Sequence, residues 1–174
     1  MRTIKQITNH RFLNLKEVND PKMGCKAYQF AERKGVDSIA FICYDKKTGI
    51  YTINREATPP LGIFLPRAFG GSLDKEKPMK EVVLAEVLEE VGYNVSLSQI
   101  KKVGKAFVST QMNQYCHLYL VFVDESQKEN RQPENATEAL SHPIEVTGGE
   151  IMNGDDWKAI TIISKARNSS MFVG

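Results

Sequence analysis

The sequence predicts one α/β (α+β) domain, with a sheet accompanied by helices in the middle and at the end of the chain. Strand-like segments rich in β-branched and aromatic residues recur over most of its length. Two longer segments, Met79 to Val91 and Asp156 to Arg167, carry helical signals instead. The 174 residues, 41% of them apolar, suffice for one substantial core, so we expect residues 1–174 to form a single domain.

Charge and cysteine usage narrow the class of protein. The 23 basic and 21 acidic residues are interspersed, which indicates neither a nucleic-acid-binding surface nor a membrane-binding one. The apolar runs are too short to span a bilayer, and the N-terminus lacks the pattern of a signal peptide. Cys25, Cys43 and Cys116 are widely spaced without a CxxC pair, which indicates free thiols. We therefore expect a cytoplasmic protein.

The first half of the chain contains most of the strand candidates. Weak alternation of apolar and polar residues from Ile4 to Glu32 predicts two or three short strands, with a turn at Asn19-Asp20-Pro21. The compact apolar run Ser38 to Tyr44 predicts a buried strand. Two further strand candidates are its hairpin partner, Ile50 to Asn54, and the segment Ile63 to Phe69, which leads into Gly70-Gly71.

The first helix candidate follows this strand-rich half. Pro78 suits a first helical turn, Met79 to Val91 contains no helix breaker, and Gly92 is a typical C-terminal glycine. Farther on, Asp124 to Ser141 is polar and predicts a long surface loop. The other elements predicted after the first helix are β-rich segments at Val95 to Leu97, Lys102 to Val108, Tyr115 to Val123 and Pro143 to Thr147, and a last helix, Asp156 to Arg167, capped by Gly154 or Asp155.

The first helix carries three acidic residues in an unfavourable arrangement. On a helical wheel Glu86, Glu89 and Glu90 share an arc of roughly a third of the circumference, apart from the apolar stripe. Their like charges repel, and the dipole at the end of the helix favours cations. A divalent cation, which prefers hard oxygen ligands, would reverse these costs, clamp a pyrophosphate and acidify a bound water. The alternative is that these glutamates only solvate an exposed helix face.

The spacing of these residues resembles a family motif. The segment Gly71-x5-Lys77-x7-Ala85-Glu86-Val87-x-Glu89-Glu90-x-Gly92-Tyr93 resembles the Nudix box, G-x5-E-x7-R-E-U-x-E-E-x-G-U, where U is bulky and apolar. Five of the seven fixed polar or glycine positions are kept, as are both bulky positions. The flanking segments, Leu65 to Gly71 and Ser109 to Val123 among them, resemble the ADP-ribose or nucleoside diphosphate-sugar pyrophosphatase branch of the Nudix hydrolases.

The resemblance implies a Nudix-type α/β/α sandwich with a mixed sheet, in which the box is a loop–helix–loop. It implies that Glu86, Glu89 and Glu90, together with the Gly70 carbonyl, bind Mg²⁺, for which Mn²⁺ could substitute. Gly71 would allow the backbone to approach the substrate closely. Water would attack a nucleoside diphosphate linked to a group X, such as ADP-ribose, another nucleotide sugar or a dinucleotide, releasing a nucleoside monophosphate and phosphorylated X. The resemblance also implies a homodimer formed through the N-terminal strands, about residues 1–34.

The sequence offers fewer candidate catalytic and substrate-binding residues outside the box than inside it. In this branch a glutamate in the loop before the last strand often supplies the general base, and Glu138 is the candidate here, with Glu134 in the same loop. Arg33 and Arg55 could bind a substrate phosphate or the distal sugar. The alternative for each arginine is a solvated or dimer-interface position.

The sequence departs from the box at Lys77 and Ala85, which stand where the family has glutamate and arginine. Loss of the arginine removes an ion pair that orients Glu86, so we expect weakened or altered catalysis. The alternative function is a Nudix-fold protein that binds or senses a nucleotide without cutting it. Thr110 and Gln114 also differ from the proline and glutamate typical of ADP-ribose enzymes, which leaves the choice of nucleotide open.

Overall fold

In the computed structural model, residues 1–33, 35, 37–73, 76–169 and 171 are described. The helices are α1 (Met79–Glu86), α2 (Ala136–Leu140), α3 (Gly148–Met152) and α4 (Trp157–Arg167). A π-helical turn, Val87–Val91, continues α1, and we call residues 79–91 the box helix. The strands are β1 (Thr3–Gln6), β2 (Leu13–Asp20), β3 (Cys25–Arg33), β4 (Ser38–Asp45), β5 (Tyr51–Thr58), β6 (Ile63–Arg67), β7 (Phe69–Ser72), β8 (Ile100–Ser109), β9 (Met112–Val123) and β10 (His142–Val146).

The strands form one mixed sheet centred on β4. Its order is β1-β2-β3-β9-β4-β5-β10, with β6 beside β5, β7 beside β4 and β8 beside β9. Strands β4 and β9 run parallel in register from Ser38↔Cys116 to Asp45↔Val123. Strands β5 and β7 both pair with β4 in the antiparallel direction. The pairing of β7 with β4 brings the box glycines to the middle of the sheet.

Alternate residues of the central strands enter two separate cores, because successive strand residues point to opposite faces. In β4, Ile39, Phe41 and Cys43 belong to a core shared with the box helix. Ala40 and Ile42 belong to a second core, shared with α3 and α4. The sheet therefore lies between the box helix on one face and α3 and α4 on the other, which is the α/β/α layering that the sequence predicts.

Two of the differences between the strands and the sequence expectation concern where a strand is interrupted or absent. The segment Ile63 to Phe69 is interrupted at Ala68, whose backbone N–H donates to Asp156 Oδ2 at 2.7 Å instead of continuing a strand ladder. The short piece Val95 to Leu97 is not a strand, and a 3₁₀ turn, Leu97–Gln99, leads into β8. Both differences depend on contacts with side chains distant in the sequence or on local capping, which strand periodicity does not report.

The helices also differ in part from what the sequence predicts. The predicted surface loop Asp124 to Ser141 contains α2, which the Asn135 side chain caps by accepting from Glu138 N at 3.0 Å. The cap of α4 is Asp156, not Gly154 or Asp155. The short helix α3 was not expected from the sequence, because its five residues are too few for a periodic pattern. None of the helices in the described ranges is long and apolar enough to cross a membrane.

Candidate functional site

The box begins with a close contact between its glycine and its first glutamate. Gly71 lies in β7 and pairs with Ile39, while α1 packs over it through the buried Val82 and Val83. A Cβ added to Gly71 would lie 2.9 Å from the Cδ atom of Glu86 and closer still to its Oε1. Glycine is therefore the residue that allows the Glu86 carboxylate to lie against the backbone of β7. Gly70, the candidate carbonyl ligand, immediately precedes this contact, and residues 74 and 75 of the box lie outside the described residues.

The last turn of the box helix departs from the regular α-helical geometry on which the helical wheel is based. Residues Val87–Val91 form a π turn, in which Gly92 N donates to Val87 O at 3.0 Å, and Gly92 then ends the helix in the left-handed conformation at φ 82°. The helix thus ends at the predicted glycine, but its last turn is wider than an α turn. Glu90 is buried and Glu89 is only half-buried, although the wheel places them on one shared arc.

The Glu90 side chain lies inside the protein. Glu90 is 7% exposed, and its Oε2 has no hydrogen-bond partner among the described residues. Burial, followed by the nearby charges of Glu86, Glu138 and Glu56, raises the pKa of Glu90 to about 8, and the charge of Arg131 opposes the shift. An ionised carboxylate in this position therefore needs a compensating cation.

We call Glu56, Glu86, Glu90 and Glu138 the carboxylate cluster. The structure brings Glu138, the candidate general base, close enough to influence Glu90 from the far end of a connection of more than forty residues. The Glu138 carboxylate accepts from the backbone N–H of Glu134 at 2.8 Å and from the side-chain amide of Asn135, so the cap of α2 orients it. Glu134, the other glutamate of this loop, supplies that backbone donor.

Sequence reasoning missed Glu56 and Arg131. Glu56 lies in β5, beyond the predicted end of that strand at Asn54, and forms an ion pair with Arg67 at 3.6 Å. Alternation along the full strand would have placed it on the same face as Asn54, opposite the core residue Ile53. Arg131 lies in the segment predicted as a solvated loop, and no local signal distinguishes it from other loop arginines.

The two candidate substrate-binding arginines lie apart from each other. Arg33 donates from Nη2 to the Ser72 Oγ at 2.9 Å, which places it beside the last residue of β7. Arg55 lies over the Phe64 ring at 5.3 Å, and strand alternation directs it away from the face that carries Glu56. The geometry therefore places Arg33 beside the box strand and Arg55 on the opposite face of β5.

The donor chemistry fits a hard divalent cation, although the side chains are not gathered into a complete ligand set. The carboxylate cluster supplies the oxygen ligands that Mg²⁺ prefers, and Glu90 contributes a buried oxygen that lacks a partner. Within the described residues, no group of three His, Cys, Asp or Glu side chains is arranged to hold a metal ion. Because like charges repel, a cation would have to draw these carboxylates together.

A cavity of about 450 Å³ is lined by other residues. Its lining includes Ile53, Ile151 and Ala159, which belong to the core shared with α3 and α4, together with Trp157 at the start of α4. None of the carboxylate cluster lines it. We give more weight to the carboxylate cluster as the reaction site, because Glu90 there has a buried oxygen that lacks a partner among the described residues and that a cation would stabilise.

Comparison with known proteins supports the fold. No protein-family model matches the sequence, and no curated protein matches it either. In structure the chain is similar to a protein whose crystal structure is described as that of an ADP compounds hydrolase, with a TM-score of 0.73 and 10% sequence identity. The match covers 95% of this chain and 90% of that one. It confirms the predicted Nudix-type α+β fold, a mixed sheet between helices.

Proposed function

We propose that this protein is a Mg²⁺-dependent pyrophosphohydrolase that cleaves a nucleoside diphosphate linked to another group, X, into a nucleoside monophosphate and phosphorylated X. The observation that carries the proposal is the buried Glu90, whose unpartnered oxygen lies among the charges of Glu56, Glu86 and Glu138. Such an arrangement is costly without a cation and favourable with one. The similarity of the fold to an ADP compounds hydrolase favours a substrate with a nucleoside diphosphate moiety.

We propose the following roles for the chain's own residues. Glu86, Glu89 and Glu90 would hold the metal with the Gly70 carbonyl, while Gly71 keeps the Glu86 carboxylate against β7. The bound metal would neutralise charge on the pyrophosphate and acidify a water. Glu138 would take a proton from the attacking water as the oxygen of that water bonds to phosphorus. The phosphorus–oxygen bond to the leaving phosphate then breaks, and the leaving oxygen departs on phosphorylated X or on the nucleotide.

Arg33 is the arginine whose position fits a substrate contact. It lies beside Ser72 at the end of the box strand, and its exposed guanidinium could bind a phosphate or a sugar hydroxyl. Arg55 is proposed only as a contact for a distal part of the substrate, because it lies on the other face of β5 from Glu56. We propose a homodimer acting in the cytoplasm, with ADP-ribose as one candidate substrate among nucleotide sugars and dinucleotides.

A hydrolysis screen tests this function. The wild-type protein is assayed with Mg²⁺ and with Mn²⁺ against ADP-ribose, other nucleotide sugars, NADH and dinucleoside polyphosphates. Glu86→Gln and Glu90→Gln should each lower kcat/KM by at least about 100-fold, because each removes a charge that holds the metal. Glu81→Gln is the matched control, since Glu81 lies exposed in the first turn of the same helix, and its activity should stay near that of the wild type.

Three results would decide between the candidate functions. Hydrolysis that is unaffected by Glu86→Gln and Glu90→Gln would rule out the mechanism. Tight binding of a nucleotide without turnover in any metal would favour the nucleotide-binding or sensor protein. Turnover that depends on both glutamates and on the metal would support the hydrolase, and the products would identify which phosphorus–oxygen bond is cut.

A further inference from the structure

The segment between β9 and β10 is fastened to the carboxyl end of the box helix. Gln132 N donates to the Glu89 carbonyl at 3.1 Å, and Glu129 N donates to the Gly92 carbonyl at 2.7 Å. The last carbonyls of a helix lack partners within the helix, so these bonds satisfy groups that would otherwise need water. Arg131 lies between the two bonded residues of this segment, directly against the end of the box helix.

The guanidinium of Arg131 holds helix α2. Its Nη1 donates to the Ser141 carbonyl at 2.8 Å, and its Nη2 donates to the Glu138 carbonyl at 3.1 Å. These carbonyls lie at the C-terminal end of α2, where a cation is favourable. A helix of five residues is too short to be stable alone, so α2 depends on such contacts. Arg131 thereby fixes the backbone of Glu138 itself.

The aliphatic part of the Arg131 side chain packs on the end of the box helix, and its charge influences Glu90. Its Cγ would lie 3.2 Å from a Cβ added to Gly92, which shows how closely the side chain packs on the helix end. Its charge acts on Glu90 in the opposite sense to the other members of the carboxylate cluster. Its Nε is buried and has no partner among the described residues, so this side of the guanidinium retains a donor.

We propose that Arg131 positions the general base of the site, by fixing the helix that carries Glu138 against the end of the box helix. Arg131 is a positioning residue in this proposal, because it acts through Glu138. The proposal rests on the proposed function to the extent that Glu138 is the general base.

A double-mutant cycle tests the coupling of Arg131 to Glu138. Arg131→Ala should lower kcat by about 10- to 100-fold with KM changed less than about 3-fold, since a group that orients a catalytic residue affects the chemical step. In the Glu138→Gln background the same substitution should lower kcat less than about 3-fold further. Arg131→Lys, which keeps the charge but loses the two-pronged geometry, should recover part of kcat.

Hydrogen exchange gives a readout that does not need a substrate. In Arg131→Ala the Ala139 and Ser141 amides of α2 should exchange at least about 10-fold faster, while the Val83 amide in α1 keeps its wild-type rate. Arg2→Ala is the control, because Arg2 pairs with Asp20 far from the site and should change neither rate. Arg131→Lys serves if Arg131→Ala fails to fold.

Two outcomes would overturn the proposal. Unchanged exchange in α2 would show that Arg131 does not hold this helix, and equal losses of kcat with and without Glu138 would show that it does not act through Glu138. If no tested compound is hydrolysed, the proposed function fails on its own, and the exchange rates still decide whether Arg131 positions α2.

Discussion

At the scale of single residues, Glu90 links the proposed site to the stability of the protein. Its carboxylate is buried among like charges, with one oxygen that lacks a partner among the described residues. Natural proteins tolerate such a group where it serves a function, because replacing it by a neutral residue would otherwise be favourable. The same residue should therefore destabilise the protein in the absence of a metal and bind the metal when one is present.

The pH dependence of the free energy of unfolding measures how much the buried Glu90 carboxylate destabilises the protein. Burial and the neighbouring carboxylates raise the pKa of Glu90 from 4.5 to about 8, so the folded protein holds this proton more tightly than the unfolded chain does. The free energy of unfolding should therefore fall as pH rises through the window from 4.5 to about 8, by an amount on the order of a few kcal/mol. Urea titrations with a chelator present would measure it.

Glu90→Gln provides the comparison for that titration. Glutamine does not ionise, so the fall in stability across the window should become much smaller in this variant, whereas Glu81→Gln should keep it. Added Mg²⁺ should restore stability to the wild type at the alkaline end of the window and have little effect on Glu90→Gln. A wild-type protein equally stable at both ends of the window would contradict the assignment.

At the scale of the elements, the end of the box helix determines where the downstream segment lies. Gly92 has φ 82°, and a Cβ added to it would lie 2.6 Å from the carbonyl oxygen of Glu129. A side chain there would therefore both strain the backbone and displace the segment that carries Arg131. The wide π turn before Gly92 and the close approach after it act together to place Glu90 beside that segment.

Two glycine substitutions separate these effects. Gly49→Ala, at φ 72° with no atom within 4 Å of the added Cβ, should destabilise the protein by roughly 1 kcal/mol, the cost of the left-handed backbone alone. Gly92→Ala should destabilise it by about 2 to 4 kcal/mol, because it adds the overlap with Glu129. Urea denaturation of both variants measures the difference. Equal losses of stability in the two variants would show that the segment around Glu129 moves away from the added Cβ at no cost in free energy.

At the scale of the whole molecule, the three N-terminal strands expose an unusual amount of apolar surface. Their buried core is small and includes Val18 and Phe30, while Phe12 is 64% exposed and Leu13 is 49% exposed. Exposed apolar side chains, where they adjoin, are typical of protein–protein contacts. Other large apolar residues exposed in this part of the chain are Ile4, Ile7, Met23 and Tyr28. That residues 1–34 contribute to a homodimer stays a prediction, and we propose this surface as the place of contact.

Sedimentation velocity tests the expected dimer. The wild-type protein should sediment as a dimer, and Phe12→Ser combined with Leu13→Ser should shift it towards the monomer, because burial of these side chains would drive association. Leu61→Ser is the matched control, since Leu61 is 62% exposed but lies in the turn between β5 and β6. A monomeric wild type, or a dimer that survives the double substitution, would contradict the prediction.

The sequence by itself determined the features that depend on near neighbours. Continuous apolar runs such as Ser38 to Tyr44 predicted the buried strand β4, and Gly92 predicted the end of the box helix. The box spacing predicted the Nudix-type fold, and it singled out Glu86, Glu89 and Glu90, whose metal-binding role stays a prediction. Short-range signals of this kind survive in a sequence because local backbone conformation depends on residues a few positions apart.

Only the tertiary structure decided which distant residues share the site. Glu56 reaches Glu90 because β5 pairs within the same sheet as β4, and Glu138 reaches it because the segment after β9 is fastened to the box helix. Arg131 gives no signal in a polar loop, since its position depends on carbonyls of a helix that the loop itself forms. These contacts join residues tens of positions apart, and no periodicity or local propensity records them.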